Sequence, residues 1–275
     1  MTRPFSAHRA GGARVLAAAT LLAVAVGAGC GPSGSSAPTP VAELTVLAAA
    51  SLREPLDALA AALLAEANVA LAIATGSSTA LRVQIEQGAP ADVFLAADAT
   101  NPDRLVGAGL TSGVPTVFAR NHLAIVVPAG NPAGISVPWD LGRPGLRIVG
   151  AGDAVPISQY AMLLVEGLAG LPGAPADYAA AYEANVVSRE DDVGAVLAKV
   201  ELGEADAAIV YASDAAGSDL VESVPVPDEV QVDVAYAGVV IATSRQQPLA
   251  HGFLGWLGEP VAREILAGFG FRAGP

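Results

Sequence analysis

Apolar positions along this chain come in two rhythms: short unbroken apolar runs, and stretches in which apolar residues recur three and four apart. Glu43–Ala48 is the first run, and Leu56, Leu59, Ala60, Leu63, Leu64 and Ala67 behind it have helical spacing. The spacing predicts strands at Val69–Ala74, Asp92–Ala96, Leu123–Val127 (stopped by Pro128), Leu146–Gly150, Ala207–Tyr211 and Tyr236–Ala242. It predicts helices through Leu81 and Ile85 with a stop at Gly88, over Tyr160–Leu168, through Val193, Val196, Leu197 and Val200, and over a closing Gly252–Ala267. Strand–helix alternation of this kind makes an α/β fold with mostly parallel sheets, in which ligands sit beyond the carboxyl ends of the strands. No short-period repeat interrupts the pattern.

Composition narrows the picture. The chain has 275 residues, room for one large domain or two lobes, and it is 53% hydrophobic with only 5% aromatics, so its core must be built from Ala, Val, Leu and Ile. The first 29 residues differ from the rest. Arg3, Arg9 and Arg14 form a positive start without acids, Val15–Val26 is apolar but too short to span a bilayer, and Gly27-Ala28-Gly29 leads to Cys30, the single cysteine. A lone Cys forms no internal disulfide. Its position reads as the lipidated first residue of a bacterial lipoprotein, with residues 1–29 as the signal peptide. Gly27 departs from the Leu usual there. Residues 30–40, rich in Pro, Gly and Ser, read as a flexible tether that holds a folded domain off a membrane surface.

The formal net charge is −13, and without the leader 11 basic residues face 27 acidic ones. Nucleic acid and anionic lipid are excluded as partners by that balance, since both are bound through Lys and Arg. Any anion site must instead work through local dipoles against the overall field.

Five segments at strand ends carry candidate chemistry. Ala48-Ala49-Ala50-Ser51-Leu52 puts a hydroxyl at the mouth of a helix, where unpaired N–H groups and the helix dipole favour an anion. Ser51-Leu-Arg-Glu54 also fits a simple capping box, although Pro55 moves the expected cap one residue on. Gly76-Ser77-Ser78-Thr79 is a polar turn, a nest of donors, or with Ala80 a nucleophile elbow with Ser78 as nucleophile. The last reading would make the chain a secreted serine hydrolase with His251 as base. Pro156 in Asp153–Tyr160 leaves the next N–H, that of Ile157, free at a helix start. Asp191-Asp192-Val193 opens a helix, a placement that electrostatics alone explains. Tyr211 ends a buried strand, where a lone tyrosine ordinarily has a satisfied hydroxyl.

Taken together, these words are similar to those of the periplasmic molybdate-binding proteins of ABC transporters. Ala48-Ala-Ala-Ser51-Leu52, Gly76-Ser-Ser-Thr-Ala-Leu81, Gln87-Gly-Ala-Pro-Ala-Asp92, Gly152-Asp-Ala-Val-Pro156, Ile209-Val-Tyr211-Ala-Ser-Asp214 and Gly268-Phe-Gly-Phe271 carry the resemblance from about Leu44 to Phe271. It implies a two-lobed periplasmic binding protein fold of class II type, each lobe a mixed, mostly parallel sheet flanked by helices. Residues 41–120 with 234–275 would form one lobe and 121–233 the other, with crossovers near Asn121–Pro128 and Gln231–Tyr236 as the hinge. It implies an oxyanion held by neutral donors only: the hydroxyls and N–H groups of Ser51 and Ser78, the backbone N–H of Ile157 and of Val193, and the hydroxyl of Tyr211. Ile157-Ser158 stands where the family commonly has Ala-Gly, and Thr79 where Gly or Ser is usual.

The function so implied is a monomeric extracytoplasmic binding protein, not an enzyme, that captures molybdate or tungstate for an ABC transporter permease. It would need no cofactor and no metal-cation ligands, and would meet the membrane through its lipid anchor alone. A sulfate- or phosphate-type oxyanion binder is the alternative.

Overall fold

The computed structural model describes residues 41–274; the leader at 1–29 and the tether at 30–40, Cys30 included, lie outside the described residues. In chain order the elements are β1 (Ala42–Ala49), a 3-10 turn at Ala50–Leu52, α1 (Arg53–Ala67), β2 (Val69–Gly76), α2 (Ser78–Glu86), β3 (Val93–Ala96), α3 (Thr100–Gly107), β4 (Thr116–Asn121) and β5 (Leu123–Pro128). Then follow β6 (Ile148–Ala151), α4 (Pro156–Ala169), α5 (Tyr178–Ala184), β7 (Val186–Glu190), α6 (Val193–Glu201), β8 (Ala207–Tyr211), α7 (Ala212–Ala216) and β9 (Val221–Val224). The chain closes with β10 (Val234–Val240), α8 (Gln247–Trp256), α9 (Pro260–Gly268) and β11 (Arg272–Ala273).

These strands make two sheets, one ordered β11-β4-β10-β3-β1-β2 and the other β7-β6-β8-β5-β9. Both are mixed, but the balance is not mostly parallel. The parallel pairs are β1 with β2 and β3, and β6 with β7 and β8. All remaining pairs are antiparallel, because they involve the strands that carry the chain between sheets: β4 and β10 in one, β5 in the other. A single residue, His122, separates β4 from β5, so the chain leaves one sheet and enters the other in one step. The return runs from β9 to β10, and the Gln231 side chain ties the two crossings together, its amide reaching Leu123 O at 3.0 Å and accepting from Leu123 N at 3.2 Å.

Local chemistry explains the boundaries. Apolar residues three and four apart put Leu56, Leu59 and Leu63 of α1 on one buried face, and the helix stops at Asn68, which takes a left-handed conformation (φ 54°) and donates its N–H to Leu64 O. The closing helix expected over Gly252–Ala267 is two helices. Gly258-Glu259-Pro260 interrupts it, since proline has no N–H for the helical ladder and fits only in a first turn. The elements that periodicity leaves unread are short: α3, β4, α5, β7, α7, β9 and β11 are each eight residues or fewer. Among the described residues no helix is long and apolar enough to cross a membrane.

Candidate functional site

Parallel strands converge their carboxyl ends on one edge, and in both sheets that edge faces a common cleft. Ser51 follows β1, Ser78 opens α2 after β2, Ile157 opens α4 after β6, Val193 opens α6 after β7, and Tyr211 ends β8. All five line one small, nearly closed cleft with a free volume of about 10 Å³, together with Ala49, Gly76 and Ala97. All five are buried. Larger cavities exist, among them one at the crossings beside His122 and Arg272, but none gathers these residues.

Each donor is left free by a specific local cause. In α4, Val155 N–H bonds Gly152 O and Ser158 N–H bonds Val155 O, while Pro156 has no N–H. That leaves Ile157 with a first-turn N–H that has no acceptor among the described residues. In α6 the Asp192 carboxylate turns back to accept Ala195 N–H at 2.9 Å, and Asp192 O accepts from Val196, so the N–H groups of Val193 and Gly194 remain. The electrostatic reading of Asp192 is therefore right for its side chain, and its neighbour's backbone is what the cleft receives.

The serines differ from one another. Ser51 is no helix cap: it lies inside the 3-10 turn, and α1 has Leu52 at its cap position, one residue on. Its Oγ sits 2.8 Å from the Tyr236 hydroxyl. The Ser78 Oγ accepts the Ala97 N–H at 3.1 Å, which leaves its own hydrogen to give. Neither partner, Tyr236 nor Ala97, is legible as part of a site from sequence, because each acts through the fold rather than through a motif.

Tyr211 departs from the ordinary buried tyrosine. Its hydroxyl is buried and has no hydrogen-bond partner among the described residues, an arrangement that is uncommon in a folded chain. Burial, reinforced by Tyr236, Tyr160, Asp214 and Asp98, pushes its pKa well above the ordinary tyrosine value, so the phenol keeps its proton and offers it.

The two departures in the motifs resolve without disturbing the donors. Ser158 Oγ ties the start of α4 to the end of β6, bonding both Ala151 O and Gly152 O at 2.7 Å. Thr79 Oγ1 accepts from the Asn101 amide and faces the adjoining cavity beside Asp98 and Arg104 instead of the cleft. The elbow reading finds no base. His251 Nε2 lies 3.2 Å from Ser112 Oγ on an exposed face, away from Ser78.

Among the described residues no Lys or Arg lines the cleft, and apart from Tyr211 the one ionisable side chain there, Asp192, is committed to its own helix. Charge-assisted hydrogen bonds from neutral donors contribute about 1.5–3 kcal/mol each, enough in combination to offset much of the desolvation of a small anion. The arrangement suits a compact ion with acceptors on every side.

Comparison with known proteins agrees with this geometry. Residues 44–272 match the family described as bacterial extracellular solute-binding protein. The molybdate-binding protein ModA of Mycobacterium tuberculosis H37Rv is 36% identical over 251 residues, covering 90% of this chain and 92% of that one. ModA of Escherichia coli K12 is 30% identical over 237 residues, covering 83% and 88%. The substrate-binding domain of a putative molybdenum ABC transporter from Clostridium difficile superposes with a TM-score of 0.64 at 28% identity, covering 85% of this chain and all of that one. The chain belongs to the bacterial extracellular solute-binding proteins.

Proposed function

We propose that this protein captures molybdate, and tungstate with it, outside the cytoplasm and delivers it to an ABC transporter permease. The observation that carries the reading is the buried, unpartnered Tyr211 hydroxyl in a cleft whose other donors are all neutral and come from both sheets. A tetrahedral dianion accepts at every oxygen and so uses such a set fully, whereas a protonated oxyanion sets hydrogen against hydrogen. The molybdate-binding relatives support the same ligand. Residues 41–120 with 234–275 would close over the ion against 121–233, as hinged lobes do. Ser51 and Ser78 then approach from one side and Ile157, Val193 and Tyr211 from the other. The protein acts as a monomeric carrier, without cofactor or catalysis.

The leader and Cys30 add a lipid anchor to the reading. Mass spectrometry of the membrane-extracted protein should find Cys30 as the acylated first residue, and a Cys30→Ala variant should be released from the membrane. Calorimetric titration with molybdate, tungstate, sulfate and phosphate tests the ligand. Heat with the first two and none with the last two is expected; a response to sulfate without one to molybdate would overturn the assignment.

A further inference from the structure

We propose that Ser77 is a further donor to the oxyanion, giving its hydroxyl to the bound ion instead of capping α2. The inference rests on the oxyanion reading above and adds a residue outside the donor set named there.

A serine at the N-cap of a helix ordinarily turns its oxygen to an N–H of the first turn, and the helix is measurably weaker without that bond. Ser77 holds the N-cap position of α2, with φ −59° and ψ 131°, and its side chain makes no such bond. Its backbone starts the helix in the ordinary way, with Ser77 O accepting Leu81 N–H at 3.0 Å. The N–H groups of Ser78, Thr79 and Ala80 are thereby left without an acceptor among the described residues. The neighbouring hydroxyls are engaged, Ser78 Oγ with Ala97 N–H and Thr79 Oγ1 with the Asn101 amide, whereas that of Ser77 has no partner among the described residues.

Burial says where the free hydroxyl looks. Ser77 is only 8% exposed, so its side chain does not stand in bulk water. Nor is its oxygen sealed in, as the Tyr211 hydroxyl is. It therefore borders open space inside the protein, and the space that Ser77 lines is the cleft, beside Ser51, Ser78, Ile157, Val193 and Tyr211. The adjoining cavities have Thr79 and Ser51 in their walls and not Ser77.

A buried hydroxyl without a partner and a helix start without a cap are each unfavourable, and here one residue carries both. An anion in the cleft relieves the two together. The hydroxyl can donate or accept, and an oxyanion oxygen makes it a donor. Each of the four oxygens of a tetrahedral oxyanion accepts about two hydrogen bonds, so the ion has room for this donor beside the others. The uncapped first turn of α2 brings the positive end of its dipole to the same point.

The test is calorimetry on the full chain with molybdate, with a ligand-free melt of every variant. Ser77→Ala should raise the molybdate Kd about tenfold or more and leave the ligand-free Tm within about 1 °C of wild type, because no cap bond is lost. A serine that only caps would behave in the opposite way, with a Tm lower by about 2–4 °C and a Kd within about twofold. Ser77→Thr and Ser77→Val have nearly the same shape and differ by the hydroxyl, so the Thr variant should bind molybdate at least about fivefold more tightly than the Val variant. An unchanged Kd in Ser77→Ala, a ligand-free Tm several degrees lower, or equal affinities in the Thr and Val variants overturns the role of Ser77, while wild-type binding of molybdate leaves the oxyanion reading standing. A wild-type protein that binds no oxyanion overturns both.

Discussion

Replacing Tyr211 by Phe removes one oxygen from the wall of the cleft and should separate function from stability. The hydroxyl has no partner among the described residues, so the substitution strands no buried donor or acceptor there. The ring stays in the same core, edge-on to Tyr236 at 5.6 Å. Ligand-free stability should therefore move by less than ~1 kcal/mol, or a Tm change of about 3 °C or less. Binding should behave differently, because a hydrogen bond from a neutral donor to a charged acceptor in a water-poor site contributes about 1.5–3 kcal/mol. That is roughly a 12- to 150-fold rise in the molybdate Kd. Calorimetric titration and a ligand-free thermal melt on the same preparation give both numbers. A Kd within about twofold of wild type would refute the reasoning, and so would a ligand-free Tm that falls by several degrees, which would make the hydroxyl structural.

Ser78→Ala should differ from Tyr211→Phe by failing on both counts: the Ala97 N–H loses its acceptor at a cost of about 1–3 kcal/mol, so the ligand-free melt drops several degrees while molybdate affinity also falls. Asp214 is half-buried, and desolvation first, then Glu54 and Asp192, raise its pKa from 3.8 to about 7 despite the opposing bond from Tyr211 N–H. The folded state thus holds a proton that the unfolded chain releases, so this contribution to stability is full below about pH 4 and is lost as pH rises through about 7; Asp214→Asn should flatten the fall in Tm between those limits. With a formal charge of −13 the protein repels a dianion at long range, so added salt that screens this field should speed molybdate association in stopped-flow fluorescence, and a slower rate would contradict it.

Sequence made much of this visible, for identifiable reasons. The long apolar-periodic segments, α1 above all, and the buried strand β8 at Ala207–Tyr211 fall where the pattern puts them. Short elements escaped because α5 and β9 offer too few residues to display a period. The closing helix was read as continuous because apolar spacing survives the break that Pro260 makes. Strand direction was legible only where strand and helix alternate, as in β1, β2 and β3; the antiparallel pairs escaped, because the crossings at His122 and before Val234 decide them. In the cleft, the residues whose backbone or hydroxyl faces the opening sit in motifs, and those behind them do not. Tyr236 is one apolar-strand residue among several in sequence, and its meaning comes from lying 2.8 Å from Ser51, 185 positions away.

A cleft without fixed positive charge has a consequence for release as well as capture. An Arg or Lys beside the ion would act over several ångströms and would go on holding it as the lobes part. Hydrogen bonds do not reach that far; they weaken steeply with small changes of distance and angle. The donors are divided between strand ends of the two sheets, Ser51 and Ser78 on one side and Ile157, Val193 and Tyr211 on the other. In the proposed reading, opening at the His122 crossing withdraws one group as a block and returns the ion to water with only the other group's partners intact. The Asp192 carboxylate at the cleft, in a chain with a formal charge of −13, then favours departure. Tight capture in the closed form and ready loss in the open one follow from a single choice of donor chemistry, with hinge geometry deciding which of the two prevails.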